Sequence, residues 1–305
     1  MISDCFQVLD KRFARYVLPN TFMETLYVGT RWAEGPVYFP AGKYFLWSDI
    51  PNDRLLRFDE TTESVSVFQK PCRFQNGHTM DREGRLVSCE HQGRQVSRIE
   101  VDGSLTILAA HYQGRRLNSP NDVIVKSDGS IWFTDPTYGI DGHYEGDKSD
   151  SEINGSHVYR IEPQSGEVIA VATDFVKPNG LAFSPDESLL YIADTGATHV
   201  ENGPQHIRVF DVGSDNSLQN GRLFATCSEG LFDGFRIDVD GNVWTSAGDG
   251  VHCYTPEAEL IGKILTDETV ANVEFGGPKR NRLFICATRS LHAVYLNTQA
   301  AKRPG

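Results

Sequence analysis

Short apolar runs rich in β-branched and aromatic residues recur along the chain, each closing on a small or acidic residue. They are WSD at Asp49, VSC at Cys89, FTD at Asp135, IAD at Asp194, WTS at Ser246 and ICA at Ala287. The closures lie 40, 46, 59, 52 and 41 residues apart. Runs of this kind, punctuated by Gly and Asp, read as strands, and a period of roughly 40 to 50 residues is that of a four-stranded propeller blade. Six closures predict an all-β chain folded as a six-bladed β-propeller.

Counting 13 to 15 residues back from each closure gives a second series: Glu34, Asn76, Asn121, Asn179, Asp233, and Asn272 or Glu274. In a propeller this register is the start of the innermost strand, so these side chains converge on one mouth of the central channel. All carry oxygen donors of the kind a hard cation takes. Read singly, an Asn before Gly or Asp is a turn former, and Glu34 is a surface charge. The shared register favours a site, because clustered carboxylates repel unless a cation neutralises them.

The chain ends follow a different pattern. Residues 4–18 place Phe6, Leu9, Phe13 and Val17 at helical intervals, which predicts a short amphipathic helix within an N-terminal extension, residues 1–22. Residues 23–305 then form one propeller domain. METLYVG at 23–29 reads as a strand that completes the last blade beside LHAVYLN at 291–297, pairing the two ends of the ring and removing an exposed edge. Asp102-Gly103, Asp128-Gly129 and Asp240-Gly241 are hairpin turns. The connection from Pro136 to Ser156 is longer than its equivalents; it reads as a solvated loop, with a lid over the mouth as the alternative.

Composition narrows the function. A formal net charge of −12 is the wrong sign for a nucleic-acid surface. The six cysteines have no metal-ligand spacing and are expected to be buried, reduced thiols. The N-terminus carries Asp4 and Asp10 and lacks a long apolar run, so neither a secretory signal nor a membrane span is expected and the cytoplasm is the default compartment. No GxSxG nucleophile motif and no phosphate-binding glycine loop with its lysine is present. Nothing in the chain specifies an oligomeric state.

Several motifs, in order, resemble one family. They are EGPVY at 34–38, NSPNDV at 118–123, FTDPTYG at 133–139, KPNGLAFSPDESLLYIADT at 177–195 and FDGFRIDVDGNVW at 232–244. Over about residues 22–297 the chain resembles the gluconolactonase and regucalcin group of six-bladed propellers, which is more distantly similar to diisopropyl fluorophosphatase. The resemblance implies one divalent cation, calcium first with magnesium or manganese as alternatives, held by Glu34, Asn121, Asn179 and Asp233. The implied chemistry is hydrolysis of a small-molecule sugar lactone such as glucono-1,5-lactone, with the cation polarising the carbonyl. Asp233 is the candidate general base, with a nucleophilic role as the alternative, and Asn121 is the second candidate catalytic residue, contacting both metal and substrate.

Candidate substrate contacts at the same mouth are Asn76, Glu90, His91, Arg94, Asp135, Tyr138, Asp194, Asn272 and Arg289, with His91 or His78 as alternative proton carriers. Competing functions are hydrolysis of other lactones or of organophosphate esters, or calcium binding without turnover, since fold alone does not imply catalysis.

Overall fold

The apolar runs pair with their sequence neighbours into antiparallel sheets, and in the computed structural model, described for residues 3–301, six such sheets stand around one axis. Blade 1 is Ala33–Phe39, Tyr44–Asp49, Arg54–Asp59 and Ser64–Gln69. Blade 2 is Gln75–Met80, Leu86–Glu90, Gln95–Ile99 and Leu105–Ala109. Blade 3 is Val123–Val125, Ile131–Asp135, Ser156–Ile161 and Val168–Phe175. Blade 4 is Pro178–Phe183, Leu189–Asp194, His206–Val212 and Leu218–Thr226. Blade 5 is Phe235–Ile237, Val243–Ala247, Gly250–Tyr254 and Leu260–Leu265; blade 6 is Val270–Gly276, Arg282–Ala287 and Ser290–Tyr295, completed by Glu24–Val28.

Burial explains why the second strand of each blade was legible. That strand is covered on both faces by neighbouring blades, so Leu86–Glu90, Ile131–Asp135 and Val243–Ala247 are buried at every position. The outermost strands meet solvent and lose the signal, as in the largely exposed Ser64–Gln69. Apolar clusters fill the spaces between blades. Phe45 and Trp47 of blade 1 meet Phe284 of blade 6, with Phe45 and Phe284 stacked at 4.4 Å. Each such buried aromatic is worth about 1.5–3 kcal/mol. Six cysteines lie free of disulfides, five of them buried.

The ring closes as expected: Glu24 opposes Ala293 and Val28 opposes Ser290. The three Asp-Gly turns also hold, with Gly103, Gly129 and Gly241 at φ of 84°, 87° and 84°. The N-terminal stretch differs from the predicted helix. Phe6–Val8 is a fifth strand on the edge of blade 5, with Phe6 opposite Ile264, and only Phe13–Tyr16 is helical, as a single 3-10 turn. Phe6, Phe13 and Val17 are buried while Leu9 is exposed. An open sheet edge offers backbone hydrogen bonds that outweigh helical spacing in so short a segment. Gly262 admits the Phe13 ring, since a Cβ there would sit 2.2 Å from it. Among the described residues no helix is long and apolar enough to cross a membrane.

Candidate active site at the channel mouth

The inner strands are interrupted where the oxygen-bearing residues stand. Register slips fall between Glu34 and Val37, Gln75 and His78, Pro178 and Leu181, and Val270 and Asn272. A bulge of this kind bends the strand and re-aims a side chain out of the pleat. The residue after four of the ring positions is glycine, and it joins blades. Gly77 N donates to Asn121 O at 2.7 Å, Gly180 N to Asp233 O at 3.0 Å, and Gly234 N to Ala271 O at 2.8 Å. A Cβ at Gly77 would lie 2.4 Å from the Asn121 carbonyl, and one at Gly180 2.3 Å from the Asp233 carbonyl. These Asn-Gly and Asp-Gly pairs, which read locally as turns, are the joints of the inner ring.

Glu34, Asn76, Asn121, Asn179 and Asp233 line one cavity of about 410 Å³. Glu34 Oε2 accepts from Gly35 N and from Asn272 Nδ2 at 3.0 Å, while Oε1 is buried without a partner. Asn76 Nδ2 lies 3.4 Å from His91 Nε2, and His91 Nδ1 lies 2.9 Å from the Glu145 carbonyl. A carbonyl only accepts, so Nδ1 carries the hydrogen and Nε2 receives the Asn76 amide. This leaves Asn76 Oδ1 buried and unpartnered. Asn179 Nδ2 is tied to Thr195 Oγ1 at 3.3 Å and also steadies the Asp233 carboxyl.

The site is electrostatically unbalanced. Burial, reinforced by Asp122, pushes the Glu34 carboxyl up to about 8. Asp233 is driven well above the carboxylate range by burial first and then by Glu34, Glu145 and Asp122. Two desolvated acids, with the Glu34 Oε1 and Asn76 Oδ1 oxygens left without partners, fit a hard, oxygen-seeking cation. Among the described residues no trio of His, Cys, Asp and Glu gathers for a metal; the donor set here mixes carboxylates with carboxamides.

Beneath the ring lies a second polar layer. Asp122 Oδ1 accepts from Val123 N at 2.8 Å, fixing the bend after Asn121, and Arg236 Nε pairs with Glu274 Oε2 at 2.9 Å. Asn272 and Glu274 thus serve this layer, supporting Glu34 and Arg236 without facing the cavity.

Of the peripheral candidates, only Asn76 and Tyr138 line the cavity. The recurrent closing Asp is a latch on the segment entering the inner strand: Asp49 accepts from Arg31 N at 2.8 Å, Asp135 from Asn118 N at 2.8 Å, and Asp194 from Lys177 N at 2.9 Å. Glu90, equivalent in position, is fully buried and accepts from Gln95 Nε2 at 2.8 Å and Ser97 Oγ at 2.5 Å. Arg94 donates to the carbonyl of Leu117 at 2.7 Å and to Ser149 Oγ at 3.2 Å. Arg289 is exposed, and its carbonyl accepts from Gly29 and Thr30. His91 is buried and lowered to about 4, and His78, between Ser48 and Ser88 hydroxyls at 2.8 Å each, is lowered to about 3 by burial. Both are neutral at pH 7 and hold neighbours in place.

Within the 136–156 segment residues 138–145 form a lid over the mouth, and residues 147–152 are exposed as a solvated loop would be. Tyr138, Asp141, Gly142, Tyr144 and Glu145 line the cavity from above. Tyr138 Oη meets Thr195 Oγ1 at 2.7 Å and Thr198 Oγ1 at 2.8 Å, and Lys177 Nζ meets Asp141 Oδ2 at 2.5 Å. Gly139 packs on His91 and Ser119, where a Cβ would stand 2.4 Å and 2.8 Å from their Cβ atoms. The Glu145 carboxyl faces the cavity, and burial pushes it up to about 7. Trp32, Leu231, Thr195, Thr198 and His199 complete the wall. Trp32 stands two residues before Glu34, but no repeat position marked it.

Residues 32–289 match the family described as SMP-30/Gluconolactonase/LRE-like region, a span that holds the whole oxygen ring. The chain belongs to the SMP-30/gluconolactonase/LRE-like family. Within it, the chain is 30% identical over 304 residues to a gluconolactonase of Zymomonas mobilis, covering 92% of this chain and 82% of that protein. A solved putative gluconolactonase superposes with a TM-score of 0.91 at 34% identity, covering 97% of this chain and 99% of that one. A gluconolactonase from Xanthomonas campestris does so with a TM-score of 0.89 at 36% identity, covering 97% and 96%. These two structures therefore carry the same ring of blades over nearly the full chain.

Proposed function

We propose that this family member hydrolyses sugar lactones, glucono-1,5-lactone first among them, with a divalent cation, calcium in the first instance, held by Glu34, Asn121, Asn179 and Asp233. The observation that carries the reading is the convergence of two buried carboxyls and the Asn121 and Asn179 carboxamides on one cavity, with the Glu34 Oε1 oxygen left without a partner. The similarity to gluconolactonases over nearly the whole chain supports the substrate class. A bound cation supplies an electrophile for the ester carbonyl and a counter-charge for the oxyanion. Asp233, opening onto the cavity between Asn179 and Glu34, accepts the proton of the attacking water. Asn121 orients the lactone carbonyl at the ring, and the lid keeps bulk water from it. Asn272 and His91 act one step back, fixing Glu34 and Asn76.

The test is lactone hydrolysis, corrected for spontaneous opening, by chelator-stripped and calcium-restored protein. Activity that returns with calcium supports the reading. No rate above background in the loaded protein sinks it.

Calcium is also expected to stabilise the fold in a pH-dependent way. In the metal-free protein Glu34, at about 8, keeps its proton below that pH, and the cation must displace it. The raised carboxyl also makes metal-free stability fall as pH rises from about 4.5 through 8. Both statements express one linkage: with less proton to displace at the higher pH, the rise in Tm on adding calcium is larger at pH 8 than at pH 5.5. A hundredfold excess over Kd is worth about 2.7 kcal/mol. Calorimetry in two buffers of different ionisation enthalpy reads the released protons directly. An increment independent of pH contradicts this account.

A further inference from the structure

We propose that Glu145 selects substrate charge: the lid carboxylate accepts the hydroxyl groups of a neutral sugar lactone and turns away lactones bearing a phosphate or sulfonate. The inference rests on the lactonase reading above and names the substrate class of the same site.

The charges around the cavity lead to it. Four carboxylates line the wall, Glu34, Asp233, Asp141 and Glu145, and no Lys or Arg does. A divalent cation in the ring balances Glu34 and Asp233. Asp141 is balanced by Lys177 Nζ at 2.5 Å, with His199 Nε2 at 3.6 Å. Among the described residues nothing pairs with the Glu145 carboxylate, so one negative charge remains, and it sits on the lid. Its place is fixed. His91 Nδ1 holds the Glu145 carbonyl at 2.9 Å, and the next residue, Gly146, packs where a Cβ would come 2.2 Å from the Gly139 carbonyl.

A desolvated carboxylate without donors is an acceptor awaiting them, and a lactone ring offers several hydroxyls. An anionic substituent offers no donor and meets a like charge in a site shielded from water, where such repulsion is strong. The reaction itself changes the sign of its occupant. Water adds to the carbonyl carbon, the ring C–O bond breaks, the ring oxygen takes up a proton, and the neutral lactone becomes a hydroxy-acid anion with one proton released to solvent. The same lid charge therefore favours product departure.

The experiment compares kcat/KM for glucono-1,5-lactone and 6-phosphoglucono-1,5-lactone at pH 7.5 in calcium-loaded wild type, Glu145→Gln and Glu145→Lys. Calorimetric binding of sorbitol and sorbitol 6-phosphate to the same proteins is measured in parallel. Wild type should prefer the neutral lactone at least tenfold, Glu145→Gln should narrow that ratio about tenfold, and Glu145→Lys should narrow it further or reverse it, with the polyol pair following the same order. Equal use of both lactones by wild type, or an unchanged ratio in both variants, overturns the proposal. If wild type opens neither lactone, the lactonase reading fails, and the sorbitol pair still decides the charge selection.

Discussion

Asp233→Ala lowers kcat for lactone opening by about a thousandfold or more while the propeller stays folded. Two losses coincide at this position. The carboxyl faces the cavity beside Glu34 and Asn179, so its removal takes away both a donor to the cation and the acceptor for the water proton. General-base catalysis alone is worth about 10²–10⁴-fold. The side chain contributes little to packing, and the residue's backbone bonds, Asp233 N to Ser246 Oγ at 2.8 Å and Gly180 N to Asp233 O at 3.0 Å, survive the substitution. A lowered kcat with an unchanged metal-free Tm is the expected pair of results. Asp233→Asn separates the roles, since the amide keeps an oxygen for the cation but cannot take the proton. A fully active Asp233→Ala protein would move the base elsewhere.

Gly35→Ala is expected to cost about 3 kcal/mol or more and to disable the site with it. Gly35 stands at φ +56°, and a Cβ there would lie 1.7 Å from the Asn76 carbonyl, a backbone atom that cannot swing aside. Blades 1 and 2 must separate at the inner ring, and Glu34 and Asn76, which flank the joint, move with them. Gly84→Ala is the control: Gly84 has φ +81° and nothing within 4 Å of its would-be Cβ, so it reports backbone strain alone, about 1 kcal/mol. Denaturant unfolding of both variants gives the difference. Equal losses would mean that the joint between blades is loose.

Much of the site was legible because a propeller repeats its geometry. Glu34, Asn76, Asn121, Asn179 and Asp233 share one register before each closure, and the fold carries that register to one mouth. The meaning of the glycines was not legible. Asn76-Gly77 and Asn179-Gly180 are locally turn-like pairs, and only the carbonyl of the next blade, pressed against each glycine, makes them strand bulges. The closing Asp135 and Asp194 stood out in the repeat for the same periodic reason as the ring, yet they latch backbone amides and never reach the cavity. Periodicity finds equivalent positions; it does not say which way they point.

The sequence by itself determined the architecture, the number of blades, the strand that closes the ring and the oxygen ring at the channel mouth. These follow from burial on both faces of each blade, which forces the same apolar run to recur at every repeat. The tertiary structure alone decided the rest. Residues 138–145 became a lid because Gly139 and Tyr138 find His91, Ser119 and Thr195 far away in the chain. The first residues became an edge strand because blade 5 left its backbone open. Contacts between segments that share no period leave no trace in the spacing of the residues that make them.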